Sequence, residues 1–441
     1  MKYLKRSAPP ATAVDVSAIV HGVIADIRKN GDAAVRRYSD KFDQWSPASF
    51  RLSRAEIDAA IAACPAQTIE DIKTVQRNVR LFAEQQRESI TDFEYEIQPG
   101  VFLGQRNLPI QRVGAYIPGG RYPLLASAHM TILTAKTAGV PHVVGCTPPM
   151  AGDIPNATVA AMALAGADEI YLLGGVQAIA AMALGTESMA KVDFLAGPGN
   201  AFVAEAKRQL FGEVGIDLFA GPTEILIVAD ETADPFTVAT DLLSQAEHGP
   251  DTPAVLITTS PSVGRETICR VQELLQRDLS TAELSQTSWE RFGEVVVVEN
   301  DDKDVLDTDD GNHGLVDAAY AVADTYASEH VQILTADPRR ALAKMTAYGA
   351  LFLGARTCVS YGDKVIGTNH VLPTKKAARY TGGLWVGKFL RTLTYQEVRD
   401  DRASGELGRL CGRAARVEKF EGHARSGDIR AHKYLGDELG W

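Results

Sequence analysis

Gln245 and His248 stand three residues apart in Ser244-Gln-Ala-Glu-His-Gly-Pro250, at the end of a helical pattern that Gly249-Pro250 stops. That spacing lets both face one side, where an amide oxygen and an imidazole nitrogen can hold a divalent ion. Alone, the string is equally a helix end whose histidine complements the dipole. Glu329 and His330 are adjacent in Ala327-Ser-Glu-His-Val331. Such a pair offers two proton acceptors of different basicity, which stepwise oxidation of an alcohol requires; the plain alternative is a helix-start Glu beside a satisfied His. Tyr361–Thr374 reads as a polar loop punctuated by Gly362 and Gly367. In it Asp363 can ligate a cation and His370 can hold a substrate. His423, in Glu418-Lys-Phe-Glu-Gly-His423, has nothing nearby in sequence to explain it. Two glycine turns, Pro118-Gly-Gly120 and Gly197-Pro-Gly-Asn200, follow apparent strands and permit close backbone approach to a phosphate. Neither matches G-x-G-x-x-G, so a standard dinucleotide fingerprint is absent.

The elements that must position these residues alternate. Helical periodicity runs through Val14–Tyr38, Ala55–Ala63 and Ile69–Phe82, with a break expected at Asp40–Asp43. From Val101, short Val- and Ile-rich runs alternate with Ala-rich helical stretches. Strands are expected at Val113–Ile117, His142–Cys146, Glu169–Leu173, Glu224–Ala229, Ala254–Thr259 and Glu294–Val298. Alternation of this kind predicts an α/β fold with parallel sheets. The divisions expected are a helical N-terminal segment (1–100), a first wound domain (101–220), a second (221–378) and a helical tail (379–441).

The chain has 441 residues, 45% hydrophobic and 23% charged, which is ordinary globular composition. A net charge of -11 argues against nucleic acid as a partner. No apolar run approaches the ~20 residues that span a bilayer, and the start lacks a signal-peptide core, so no membrane partner and a cytoplasmic location are expected. The 5 cysteines are scattered and without metal-finger spacing.

Read in order, the strings Val113-Gly-Ala-Tyr-Ile-Pro-Gly-Gly120, Gly174-Gly-Val-Gln177, Gly197-Pro-Gly-Asn200, Gly221-Pro-Thr-Glu224, Leu242–Asp251, Glu329-His330 and Gly367-Thr-Asn-His-Val-Leu-Pro-Thr374 resemble the histidinol dehydrogenase family. The resemblance runs from about Ile24 to His423. It implies two related, incomplete Rossmann-like domains in a domain-swapped homodimer, and a zinc-dependent, NAD-linked oxidation of a primary alcohol to a carboxylate through an aldehyde. Carried over position by position, it implies Gln245, His248, Asp363 and His423 as zinc ligands and Glu329 and His330 as the catalytic pair. It implies Tyr116, Gln177 and Asn200 for NAD, and Thr223, His330, His370 and Glu418 for substrate. In the family the tail bearing Glu418 and His423 comes from the partner subunit, so active sites are shared.

Departures fall where substrate is read. Thr223 replaces a Ser, and Val359 replaces a substrate-facing Glu four residues before Asp363. Arg121 and Tyr122 follow the Gly-Gly turn, His129 lies further on, and Lys364, Lys375, Lys376 and Lys388 add positive charge. Losing a carboxylate and gaining cations suits an anion better than cationic histidinol. With Tyr380–Leu390, these features resemble the family's sulfopropanediol dehydrogenase branch, which acts on 2,3-dihydroxypropane-1-sulfonate. Arg121 and His129 are then candidates to meet the sulfonate, a small anionic group. Three rivals are histidinol dehydrogenase itself, a silent binding protein on the same scaffold, and an aldehyde dehydrogenase with a cysteine nucleophile.

Overall fold

Parallel strands expose no face to water, so their sequences read as continuous apolar runs and helices must cover both sides. The computed structural model describes residues 1–8, 15–119, 123–219, 221–277, 281–299 and 311–441, with the backbone alone at 311–313. Two sheets in it follow this rule. The first contains β4 (Arg112–Tyr116), β5 (His142–Thr147), β6 (Glu169–Leu172), β7 (Phe194–Ala196) and β8 (Gly215–Ile216), in the spatial order β6-β5-β4-β7-β8. The second contains β9 (Ile225–Ala229), β10 (Ala254–Thr258), β11 (Gly293–Val297), β12 (His330–Leu334) and β13 (Ala350–Leu353), in the order β11-β10-β9-β12-β13. Counted within its own sheet, each set has parallel strands in the order 3-2-1-4-5. The mixed α/β reading with parallel sheets therefore holds. β1 (Lys2–Lys5) adds an antiparallel edge to the second sheet beside β11.

Alternation along the second sheet separates two cores. Ile225, Ile227 and Ala229 pack with Val238, Leu242 and Leu334 on one face. Leu226 and Val228 pack with Tyr320, Val331 and Ile333 on the other. The first sheet's core joins the N-terminal helix Ser17–Asp43, through Val20, Ile24 and Ile27, to the helix Gly175–Leu184.

The chain divides into two units, Met1–Gln85 with Ile110–Lys388, and Gln86–Pro109 with Phe389–Trp441. The second unit holds a three-stranded antiparallel sheet with β3 in the middle, formed by β2 (Phe93–Gln98), β3 (Val101–Pro109) and β14 (Leu390–Val398), and the paired helices Asp401–Val417 and Glu421–Leu435. Two expectations are corrected here. The tail is not all helical, because Leu390–Val398 pairs residue for residue with β3. Its partner lies some three hundred residues away in sequence, where no local period reveals it. Nor does the first helix stop at Asp40; it bends at Gly31 (φ 50°) and runs to Asp43, ending in left-handed Gln44.

Candidate active site

The period of two along β12 puts His330, Gln332 and Leu334 on one face. The helix Pro235–Ala246 covers that face, started by Asp234, whose carboxylate accepts the Phe236 and Thr237 amides. Asp241 and Gln245 are one turn apart on it. Gln332 Nε2 donates to Asp241 Oδ2 at 2.7 Å, and Gln245 Nε2 donates to Asp363 Oδ2 at 2.9 Å. Asp363 sits on a short helix, Val359–Lys364, not in a loop as its sequence suggests. Val359 is buried in the apolar core of that face.

Glu329 immediately precedes β12 and His330 opens it, so neither is helical. Glu329 Oε2 accepts from Thr223 Oγ1 at 2.7 Å and from the Glu224 amide at 3.0 Å. His330 Nδ1 lies 2.9 Å from the Glu224 carbonyl. A carbonyl only accepts, so Nδ1 carries the proton and Nε2 keeps its lone pair in the neutral ring. That Nε2 has no hydrogen-bond partner and lies 3.5 Å from Asp363 Oδ1. Burial pushes the Glu329 carboxyl up to about 7, with His330 and Thr223 opposing. His330 is pulled down by burial but raised overall by the charges of Glu329 and Asp363. Asp363 is held well below the usual carboxylate range, burial being outweighed by His330, His370 and Gln245.

The donor set fits a borderline divalent ion. Gln245 is 1% exposed, and its Oε1 is buried without a partner. An amide oxygen left so is costly unless something outside the chain's own groups meets it. His248, one turn beyond, is open to solvent yet crowded; the crowding lowers its pKa while Asp363 opposes. Among the described residues no three His, Cys, Asp or Glu side chains close a metal cage by themselves.

His370 Nδ1 donates to the Asp363 carbonyl at 2.9 Å. His129, 1% exposed, lies near enough to His370 for their charges to interact, and burial lowers its pKa to about 4. Gln76 Nε2 lies 3.1 Å from His129 Nδ1 and donates to the Ala161 carbonyl at 2.9 Å. An amide nitrogen only donates, so His129 accepts at Nδ1 and carries its proton on Nε2. His129 opens a π-helical turn, His129–Leu133, and Asn369 Nδ2 donates at 2.9 Å to the Met130 carbonyl within it. Gln76 and Asn369 were missed from sequence. For Gln76 there was a signal, a polar residue on the buried stripe Ile72, Gln76, Val79, Ala83.

At the other sheet, Tyr116 ends β4 and its hydroxyl accepts the Gly175 amide at 3.0 Å. Gln177 Nε2 donates to Asp43 Oδ2 at 2.9 Å. Asn200 Oδ1 caps the helix Ala201–Leu210. Gly197 has φ +120°, and a Cβ there would lie 2.1 Å from the Tyr116 carbonyl oxygen. Tyr116, Gly197 and Asn200 gather where the strand order of the first sheet reverses, at its carboxyl edge, and Gln177 follows β6 at the same edge.

Three candidates remain. Arg121 lies outside the described residues. Glu418 and His423 belong to the second unit, at the end of one tail helix and the start of the next, both exposed.

A profile of the histidinol dehydrogenase family matches residues 6–431. A histidinol dehydrogenase homolog of Shouchella clausii is 55% identical over 98% of this chain and 99% of its own. A sulfopropanediol 3-dehydrogenase of Ruegeria pomeroyi is 42% identical over 99% and 98%. The crystal structure of histidinol dehydrogenase from Elizabethkingia anophelis superposes with a TM-score of 0.88 at 33% identity, covering 98% of this chain and 95% of that one. The chain belongs to the histidinol dehydrogenase family.

Proposed function

We propose that this dehydrogenase oxidises the primary alcohol of 2,3-dihydroxypropane-1-sulfonate through the aldehyde to 3-sulfolactate. Water supplies the second carboxylate oxygen and two NAD are reduced. The observation that carries the oxidation chemistry is the pairing of Glu329 with a His330 whose Nε2 is buried, unpartnered and beside Asp363. Gln245 through Oε1, His248 and Asp363 would hold zinc, with His423 of the partner subunit as the fourth ligand. Zinc would orient substrate oxygens, and NAD would accept hydride in each oxidation. His330 Nε2 takes the hydroxyl proton in the first oxidation. Glu329 then removes a proton from the water that attacks the aldehyde carbon, and burial of both keeps the aldehyde from escaping. Tyr116, Gln177 and Asn200 are the proposed NAD contacts; Thr223 and His370, with Glu418 of the partner subunit, are the proposed substrate contacts.

The sulfonate reading rests on the relative of that name and on the residue types at positions 121, 129 and 359. An apolar Val359 stands where histidinol would want a carboxylate. A neutral His129, with its proton on Nε2, adds a donor for an anion. Arg121 is the proposed cationic partner. A homodimer and a cytoplasmic location complete the proposal; among the described residues no helix is long and apolar enough to cross a membrane. Oxidation of L-histidinol is the alternative, favoured by retention of Glu418. Purified, zinc-loaded protein decides between them through NADH formation. Rapid turnover of dihydroxypropanesulfonate with little from histidinol supports the proposal, and the reverse result replaces it with the alternative.

A further inference from the structure

Beneath the glycine turn of the first sheet lies an ion pair that the proposed chemistry does not use. Lys207, on the helix Ala201–Leu210, has a side chain 4% exposed; Asp217, just past β8, has one 0% exposed, and their charged groups are in direct contact. Both are hydrogen-bonded to one peptide unit's neighbourhood, that of Gly197. Asp217 Oδ2 accepts the Gly197 amide at 2.7 Å, and Lys207 Nζ donates to the Gly197 carbonyl at 2.9 Å. Asp217 Oδ1 also accepts the Leu218 amide at 2.7 Å.

Stability alone gives no reason for this pair. Desolvating two charges costs several kcal/mol each, and well-packed apolar side chains of similar volume are often as stable or better. What an apolar pair could not do is bond both the amide and the carbonyl of one residue. That residue is the one with φ +120°, packed so closely on Tyr116 that a single added carbon would overlap its carbonyl. Asn200 follows three residues later and caps the helix that carries Lys207. The backbone from Gly197 through Asn200 to Lys207 is therefore closed on itself at Gly197, beside Tyr116, with Asp217 bonded to both ends of that closure.

We infer that Lys207 and Asp217 are positioning residues for the cofactor. By clasping Gly197 from both sides, they fix the spacing between Tyr116 and Asn200 on which dinucleotide binding depends. The inference rests on the proposal that this edge holds NAD, and it adds residues that touch neither the cofactor nor the reacting atoms.

The test is the double variant Lys207→Met/Asp217→Leu, which removes both charges and leaves neither one buried alone. The isosteric Asp217→Asn, which weakens the clasp without changing volume, decides the matter if the double variant does not fold. The expected result is an NAD KM raised about tenfold in the double variant and about threefold in Asp217→Asn, since displacements near 1 Å at a binding site carry effects of this order or more. The KM for the alcohol, the zinc content and kcat at saturating NAD stay near wild-type values. A folded variant that melts lower but keeps the wild-type NAD KM overturns the inference and leaves the pair a purely structural device. Failure of the wild-type protein to bind NAD is a separate result, visible before any variant is made; it removes the cofactor reading and this inference with it.

Discussion

The two sheets share one strand order and place chemistry at opposite edges. In the first, Tyr116, Gly197 and Asn200 gather at the carboxyl ends of β4 and β7, where the order reverses. This is the usual place for a ligand in an open α/β sheet. In the second, Thr223, Glu224, Glu329 and His330 gather at the amino ends of β9 and β12. The second sheet's own carboxyl edge is filled. Asp230, 2% exposed, follows β9 and accepts the Thr232 and Ala336 amides at 2.9 and 2.7 Å across the reversal point. The first sheet's amino edge is filled too. Glu169 there accepts from Tyr171 at 2.8 Å, pairs with His142 at 3.1 Å and with Arg112 at 3.3 Å. A shared topology thus fixes where crevices occur, while local hydrogen bonding decides which one stays available for a ligand.

Replacing the glutamate at each amino edge by glutamine should break the symmetry most sharply. Glu329→Gln is expected to lower kcat for acid formation by roughly 10²–10⁴-fold with little change in melting temperature, the range for losing a positioned base. Glu169→Gln should leave kcat near wild type and lower stability by about 1–3 kcal/mol, as for a weakened buried network. Steady-state assays and thermal melts on both variants check this; equal kinetic losses would make the comparison meaningless.

At the proposed cofactor edge, Gly197→Ala forces a Cβ into the Tyr116 carbonyl. An NAD KM raised by roughly 10²-fold is expected, with zinc content unchanged. An alanine variant with wild-type NAD affinity would show that this close approach has no part in binding.

The pH dependence separates the edges more gently. Glu329 must be ionised to activate water, and burial raises its carboxyl to about 7, so turnover should fall as pH drops through that value. Thr223 stabilises the ionised form through its hydroxyl. Thr223→Val should therefore move the limb to higher pH, and Thr223→Ser should leave it in place. A limb unmoved in Thr223→Val would assign it to another group.

The smallest effect is expected at Asn200. Removing the cap in Asn200→Ala should cost about 1 kcal/mol of stability. If Asn200 also meets NAD, the NAD KM rises with it; a melting shift alone leaves the residue a cap and nothing more.

Much of this was readable from sequence because it is local. The helix Pro235–Ala246 stops just before Gly249-Pro250, as that string suggests, and the six strands expected lie within a residue of their apolar runs, whereas β12 and β13 were not expected. Glu329-His330 was legible as a pair, and the resemblance singled out Gln245 and Asp363, which the fold joins by a hydrogen bond. What escaped depends on distant partners. β14 is a strand because β3 lies beside it. Gln76 matters because His129 meets it, and Asp363 is helical although glycines flank its segment. Lys207 reads as an ordinary helical lysine until the fold buries it against Asp217.

Zinc content tests the central claim most directly, because the proposed ligand set at the second sheet's amino edge is what would make His330 and Glu329 a reaction centre. Metal analysis of the purified protein should return close to one zinc per chain, lost in Asp363→Ala while the circular dichroism spectrum is retained. A fully active wild-type protein without zinc, or an Asp363→Ala variant that keeps it, would contradict the assignment.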